Sequence, residues 1–435
     1  MTASELVQNL HKLRINGGRQ MILDREQRRN RFRALVLQRI DGSTELDDNG
    51  LRLLIENVIR AHCRKESLTI RERRETKKDV FDSLRRLDVL QDLMEDGTIT
   101  EIMVNGPDHI FYEREGQLYQ SERRFYDRKR LEDVIQKIAS GVNRVINEAN
   151  PIVDARLPDG SRVNAVLPPV SLSDAVLTIR KFPEERITMQ QLITMGSITK
   201  EAAEYLKVLV RAGYNIFVSG GTGVGKTTFL NVLSDYIPPN ERIITIEDSA
   251  ELQIKNIPNL VRLEVRNANM EGNHAVTIRD LIKTSLRMRP NRIIVGEVRD
   301  AASIDMVQSL NTGHCGMSTG HANSPADMLS RLETMVLLGE EIPLLAIRKQ
   351  IASAIDIIIH LARLRDKTRR VTEIVEVLSC TDGEIPLNPL FRFEEEGEDE
   401  NGRILGRLRY LNNPLQSRGK LLAAGEEECI PHISE

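Results

Sequence analysis

The nine residues GGTGVGKTT at 220–228 constrain this chain more than any other stretch of it. They fit the pattern G-x-x-x-x-G-K-[ST], with Gly220, Gly225, Lys226 and Thr227 at the fixed positions. The apolar run IFV at 216–218 leads into the loop and a helical pattern leaves it, so the loop joins a strand to a helix N-terminus. The backbone from Gly220 through Gly221, Thr222, Gly223 and Val224 to Gly225 is then free to wrap phosphate oxygens that bulkier residues would obstruct. The pattern assigns Lys226 to the β- and γ-phosphates of a nucleotide and the Thr227 hydroxyl to Mg²⁺, with Thr228 completing the loop.

The surrounding sequence repeats the strand-and-helix alternation. IITI at 243–246, IIV at 293–295 and IDIIIH at 355–360 read as short buried strands. Between the first two of these, Ile278, Leu281, Ile282, Ser285 and Leu286 mark the inward face of a helix. A further helix is expected over 326–338, with Gly339 as its left-handed stop. Alternation of this kind implies a parallel sheet covered on both faces. Glu247 and Asp248 directly follow one strand and Glu297 follows the next, where sites of parallel sheets collect. Each is a candidate to position a water. Gly296 stands where many such ATPases carry a metal-associated Asp. His314 and His321, both beside glycines, are candidates to sense a γ-phosphate, and the neighbourhood lacks the further ligands that zinc needs.

Upstream, residues 1–85 read as charged helices, with Leu35, Val36, Ile40, Leu51, Leu54, Ile55, Val58 and Ile59 at helical spacing and a break at DGSTELDDNG, 41–50. Residues 86–185 mix strands and helices. EIMVNGPDHIFYEREGQL reads as two strands about an Asn-Gly-Pro turn, then a Glu-Gly turn. One helix face carries Leu131, Val134, Ile135, Ile138, Val142, Val145 and Ile146, and strands are expected near 163–166 and 175–180. Arg156 and Arg162 flank a Pro-Asp-Gly turn, so both point from one hairpin end, and Arg180 follows in the next strand. KFPEER at 181–186 reads as a linker. Residues 186–435 form the nucleotide domain with a C-terminal extension, in which EEEGEDENG at 394–402 reads as a surface loop.

Bulk properties narrow the class. The chain has 435 residues, room for two or three domains. No apolar run reaches the roughly 18–20 residues of a membrane span, and the first residues lack the apolar centre of a secretory signal. A cytoplasmic, soluble protein is therefore expected. Cys63, Cys315, Cys380 and Cys429 are too dispersed for a disulfide framework or a four-cysteine zinc site. Residues 1–79 hold 18 Lys/Arg against 12 Asp/Glu, although the whole chain carries −3. That basic arm suits anionic lipid, nucleic acid or an acidic partner, or is simply a solvated surface. With no Trp and 4% aromatics there is little for single strands to stack on, so nucleic acid is not the expected substrate.

Four motifs in order, the loop at 220–228, the acidic box ITIEDSAEL, the G-E pair closing 292–297 and the histidine box STGHA at 318–322, resemble the type II/IV secretion ATPase superfamily, most closely its Tad/Flp pilus assembly branch (CpaF-type). The resemblance covers about residues 86–380 well. It implies a RecA-like P-loop ATPase domain preceded by a smaller α+β domain and an N-terminal helical bundle. It further implies a homohexameric cytoplasmic motor docked on an inner-membrane platform protein. By motif match, Glu297 and Glu247 take the water and Mg²⁺ roles, His321 is the histidine-box residue near the γ-phosphate of ATP, and Arg156, Arg162 and Arg180 correspond to arginines that reach the phosphates. The four-cysteine zinc element of many relatives is missing, which favours the Tad or the DNA-transfer branch. Two rival readings stand beside this one: a nucleic-acid-translocating motor of a conjugation system, and a nucleotide-gated scaffold.

Overall fold

The structure, a computed structural model, describes residues 24–40, 46–62, 68–114, 116–182, 186–266 and 275–427. Cys63, Cys429, the first part of the 41–50 break, the centre of the 181–186 linker and the final residues lie outside them. The chain divides between residues 184 and 185 into two compact units.

In the first unit, α1 (24–37), α2 (Asp48–His62) and α3 (Ile70–Arg85) enclose a small core of Phe32, Val36, Leu51, Ile55, Val58, Val80 and Phe81. Thr69 starts α3 with a capping box to Glu72. After the short α4 (Gln91–Glu95) come β1 (Ile99–Asn105), β2 (Ile110–Arg114), β3 (Gln117–Gln120), α5 (Arg128–Gly141), β4 (Ile152–Arg156), β5 (Arg162–Val166) and β6 (Val176–Arg180). These strands form an antiparallel sheet in the order β3-β2-β1-β6-β5-β4, and α5 packs Leu131, Val134, Ile135 and Ile138 against it. Helix α5 stops at Gly141, earlier than expected: Val142 is its C-cap, Val145 is exposed, and only Ile146 of the later apolar positions is buried. Buried Asp88 joins the helical layer to the sheet layer, pairing with Arg29 of α1 at 3.2 Å and Arg130 of α5 at 2.5 Å.

The second unit begins with α6 (Met189–Thr194) and α7 (Lys200–Arg211). Then follow β7 (Ile216–Gly220), α8 (Lys226–Ser234), β8 (Ile243–Glu247), β9 (Leu260–Glu264), α9 (Ile278–Ser285), β10 (Arg292–Val295), α10 (Ala302–Asn311), β11 (Cys315–His321), α11 (Pro325–Leu337) and α12 (Leu344–Ala354). The chain ends in β12 (Ile357–Arg363), β13 (Arg369–Val377), β14 (Leu387–Glu398), β15 (Ile404–Tyr410) and α13 (Gly419–Ala424). All these strands join one sheet, β15-β14-β13-β12-β7-β11-β10-β8-β9. The six strands from β12 to β9 pair in parallel, as the buried apolar runs require. One core fills the face covered by α7 and α8, another the face covered by α9 to α12.

Three expectations change here. The sheet is not wholly parallel, because β13, β14 and β15 extend it in antiparallel fashion. The acidic 394–402 segment is not simply a loop: its first half is the end of β14, paired with β15. Arginines make that possible, since Glu395 and Glu398 meet Arg365 while Glu394 and Glu396 meet Arg409, so counter-charges from outside the run balance it. Gly339 does not adopt a left-handed conformation; a Cβ there would stand 2.9 Å from that of Ala301, so the residue is small to permit close packing.

Arg292, which opens β10, is fully buried; it pairs with Glu241 through two 2.9 Å hydrogen bonds and donates to the Val210 carbonyl of the turn ending α7 at 3.0 Å. A buried cation stripped of its partner is costly, so Glu241→Ala should destabilise the second unit by about 3 kcal/mol. Thermal unfolding checks this, and an Arg292→Met/Glu241→Leu double variant should recover much of the loss.

Candidate functional site

The glycine loop leaves β7 at the centre of the parallel strands. Gly220 has φ +151°, and a Cβ on it would come within 2.3 Å of the Leu361 carbonyl oxygen of β12. Gly223 and Gly225 have φ +72° and +94°, in the left-handed region, and Gly225 is the N-cap of α8. Gly221, Thr222 and Gly223 are exposed, Val224 is anchored in the core, and Thr227 and Thr228 sit half-buried in the first turn of α8. The loop thus presents backbone amides at a helix N-terminus, the arrangement that binds phosphate.

The register of three adjacent strands brings the chemical groups together. His321, the last residue of β11, pairs with Gly220 of β7, and Glu297 stands two residues beyond the end of β10. Thr319 donates to the Gly296 carbonyl at 2.7 Å, and the Val298 amide donates to the Thr319 carbonyl at 3.1 Å, which fixes the turn carrying Glu297 to β11. Lys226 is buried, and its ammonium reaches the carbonyls of Gly220 and Gly221 at 3.2 and 2.8 Å and His321 Nδ1 at 3.1 Å. His321 Nε2 is 2.9 Å from one oxygen of Glu297, and Arg299 holds the other at 2.6 Å. A continuous polar chain therefore runs Lys226–His321–Glu297–Arg299.

The electrostatics follow from that chain. Burial and then the Lys226 charge hold His321 below the ordinary imidazole value, outweighing Glu297. With Nδ1 accepting from an ammonium, its proton sits on Nε2, although the ring is not angled to donate it to the nearby Glu297 oxygen, which accepts no hydrogen bond among the described residues. Burial raises the Glu297 carboxyl, but the Arg299 hydrogen bond and charge, with the nearby His321 ring and Lys226 ammonium, outweigh it, so the group stays ionised below the usual carboxylate range. Lys226 itself is lowered by burial, with Glu297 opposing.

Glu247 closes β8 and is 3% exposed. One of its oxygens accepts from the amides of Glu251 and Leu252, both at 2.8 Å, while the other is buried with no hydrogen-bond partner. A Cβ on residue 296 would lie 3.0 Å from Glu247 Cγ, which explains Gly296: the acid comes from β8 and fills the space a side chain at 296 would take. Burial raises the Glu247 carboxyl. The orphaned buried carboxylate oxygen of Glu247 fits a divalent cation carried by a nucleotide. Among the described residues no cluster of three or more acidic, His or Cys side chains could hold a metal without such a ligand.

Other candidates separate. Asp248 is exposed, past the end of β8. His314 precedes β11 while His321 ends it, so the two histidines mark opposite ends of one strand and only His321 belongs to the site. Arg156, Arg162 and Arg180 all lie in the first unit, in one row: Arg156 pairs with Arg162 across β4 and β5, and Arg162 with Arg180 across β5 and β6. Arg156 also donates to the Gly160 carbonyl at 3.2 Å and stands over Phe182.

Two participants escape the sequence reading. Arg299 is two residues from Glu297, but only the turn after β10 aims both side chains at one point. His360 is buried on β12, its Nδ1 2.8 Å from the Ser219 hydroxyl beside the glycine loop, and burial holds it below the ordinary value. Beside the loop opens a cleft of about 820 Å³ bordered by Thr222, Arg299, His321, Asn323 and Arg331.

A glycine loop between a buried strand and a helix, flanked on neighbouring parallel strands by an acid and a histidine, defines a RecA-like P-loop nucleotide domain. The chain belongs to the type II/IV secretion system ATPase superfamily, matching the family described as "Type II/IV secretion system protein" over residues 84–402. It is 36% identical over 324 residues to a putative conjugal transfer protein of Mycobacterium tuberculosis, covering 73% of this chain and 91% of that one. It is 33% identical over 303 residues to the type IV secretion system protein PtlH of Bordetella pertussis, covering 63% and 89%. The ATPase DotB of Yersinia pseudotuberculosis shares the fold, with a TM-score of 0.51, 19% identity and coverage of 67% and 79%.

Burial and the Lys226 charge lower His321, so its neutral form persists below pH 6.5, the ordinary imidazole midpoint, and acidification through the lowered value places a charge beside Lys226. ATP turnover should show an acid limb with a midpoint below pH 6.5, and His321→Gln should remove the limb. An unaltered limb in the variant would assign it to another group.

Proposed function

We propose that this chain is a motor ATPase that hydrolyses ATP to drive assembly of a Tad/type IV-like pilus or a related secretion machine. The observation that carries the reading is the chain from Lys226 through His321 to Glu297, which joins the phosphate loop to a charged carboxylate. Lys226 and the loop amides bind the phosphates. Glu297, its carboxylate held by Arg299, orients the attacking water and accepts its proton, while neutral His321 lies against the carboxylate and stands beside the γ-phosphate. Thr227 and Glu247 would hold Mg²⁺, which neutralises phosphate charge. The division into a helical region 1–85, an α+β domain 86–185 and an ATPase domain 186–435 belongs to the same reading, as do a homohexamer and docking on an inner-membrane platform protein. Among the described residues no helix is long and apolar enough to cross a membrane, so attachment would be peripheral. Conjugal transfer is printed in the names of relatives from Mycobacterium and Rhizobium, which favours a second reading, DNA transfer; strongly DNA-stimulated, salt-sensitive turnover would identify it.

The central test is Glu297→Gln. It should retain ATP binding and lower turnover on the order of 10²-fold or more, whereas Lys226→Ala should weaken binding itself. Turnover at the parental rate in Glu297→Gln would remove the water-positioning role.

Arg156, Arg162 and Arg180 occupy paired positions on neighbouring strands, so one anionic group can meet their guanidinium groups together. In this reading these arginines stabilise charge developing on the γ-phosphate. Arg156→Ala and Arg162→Ala should then lower kcat far more than ATP affinity, with Lys rescuing only in part because it lacks the planar fork. Steady-state kinetics with unchanged turnover in the double variant would leave a merely structural hairpin.

A further inference from the structure

Beyond the groups already assigned, the second unit sets two arginines face to face with no acid paired to either among the described residues. Arg363 ends β12 and Arg369 begins β13, and they stand directly opposite one another in the antiparallel ladder. Like charges so placed repel, and a hairpin normally avoids them. The neighbouring arginines are engaged: Arg365 with Glu395 and Glu398, Arg370 with the carbonyls of Ile404 and Gly406, Arg392 with Glu373. Arg363 and Arg369 are exposed, and neither makes an ion pair or hydrogen bond among the described residues.

Their position follows from register. The last pair between β12 and β7 is Leu361 with Gly220, so Arg363 lies two residues past the point where β7 turns into the glycine loop. Leu361 is paired with Val371, and both belong to the core that also holds Val224 of the loop and Phe229, Leu230 and Leu233 of α8. Side chains two apart on a strand leave the same face, so Arg363 and Arg369 project on the side of α8, at the end where the loop is. The contact agrees: Arg369 Cδ is 3.9 Å from where a Cβ of Gly225 would be. In the sheet order, β11 and β10, which bring His321 and Glu297, flank β7 on one side; β12 and β13 flank it on the other.

We infer that Arg363 and Arg369 form a cationic rim that binds the α- and β-phosphate end of a nucleoside di- or triphosphate, opposite the γ-phosphate end served by Glu297 and His321. The inference rests on the nucleotide reading above and deepens it. An anion between two facing arginines removes their repulsion, and an arginine-to-phosphate hydrogen bond with a charged partner is among the stronger polar contacts. Because ADP and ATP share the α- and β-phosphates, both should gain equally.

Equilibrium binding of ADP and of ATP to the full chain tests this. Arg363→Gln/Arg369→Gln should weaken both nucleotides by the same factor, on the order of 10-fold or more. The Lys versions should keep part of the affinity. Since the substitution relieves repulsion, the thermal midpoint without nucleotide should not fall. Each single variant should show a smaller loss for both nucleotides, which guards against a folding defect in the pair. Unchanged affinity for both nucleotides overturns the rim, and a loss confined to ATP overturns its assignment to the α- and β-phosphates. A parent chain that binds neither ADP nor ATP overturns the nucleotide reading and the rim together, whereas parental binding with unaltered variants overturns the rim alone.

Discussion

Parallel strands β7 and β11 end at one level and β10 stops three residues short of it, so that Glu297 in the turn beyond reaches His321; the site depends on that register. His321 opposes Gly220, while Ser318 opposes Val295. A slip of one residue would turn His321 to the other face and break its contacts with Lys226 and Glu297 at once. What holds the register is burial on both faces. Every residue of β7 and β10 is inaccessible, so any other pairing exposes apolar surface or strands backbone groups. The chemistry at the strand ends is thus positioned by packing several residues away.

Two acids of the candidate site stand under opposite electrostatic conditions. Glu247 is buried, braced by two amides and raised by its surroundings. Glu297 is flanked by a cation and a histidine and lowered by them. Glycine at 296 is what allows both to fit, because the Glu247 stem occupies the volume beside it. Environments that push neighbouring carboxyls apart commonly divide roles between them, one suited to a metal and the other to a proton.

Much of the second unit was legible because its signals are local. The loop at 220–228, the apolar strands and the helical face from Ile278 to Leu286 need only neighbours in sequence. The histidine box was found, but its geometry was not, since the 3.1 Å approach of Lys226 to His321 spans 95 residues. His360 was invisible because it reads as one polar residue in an apolar strand, and its meaning comes from the Ser219 hydroxyl on the next strand. The 394–402 stretch misled for a related reason. Acid-rich sequence favours a solvated loop unless counter-charges lie opposite, and those arginines arrive from 365 and 409. Strand β9 went unread because its burial pattern never becomes continuous or cleanly alternating.

The hairpin of β14 and β15 has a bearing on how copies of this chain avoid fusing. Strand β15 is the last of its sheet, and a sheet's outermost strand is a template on which another chain can add by backbone pairing. Here that border is armed: Arg407 and Arg409 interleave with Glu394 and Glu396 on the adjoining strand. A foreign strand laid alongside would have to desolvate these ions or supply matching ones. Charge alternation that looks like mere surface decoration therefore works as a guard against uncontrolled sheet extension at β15.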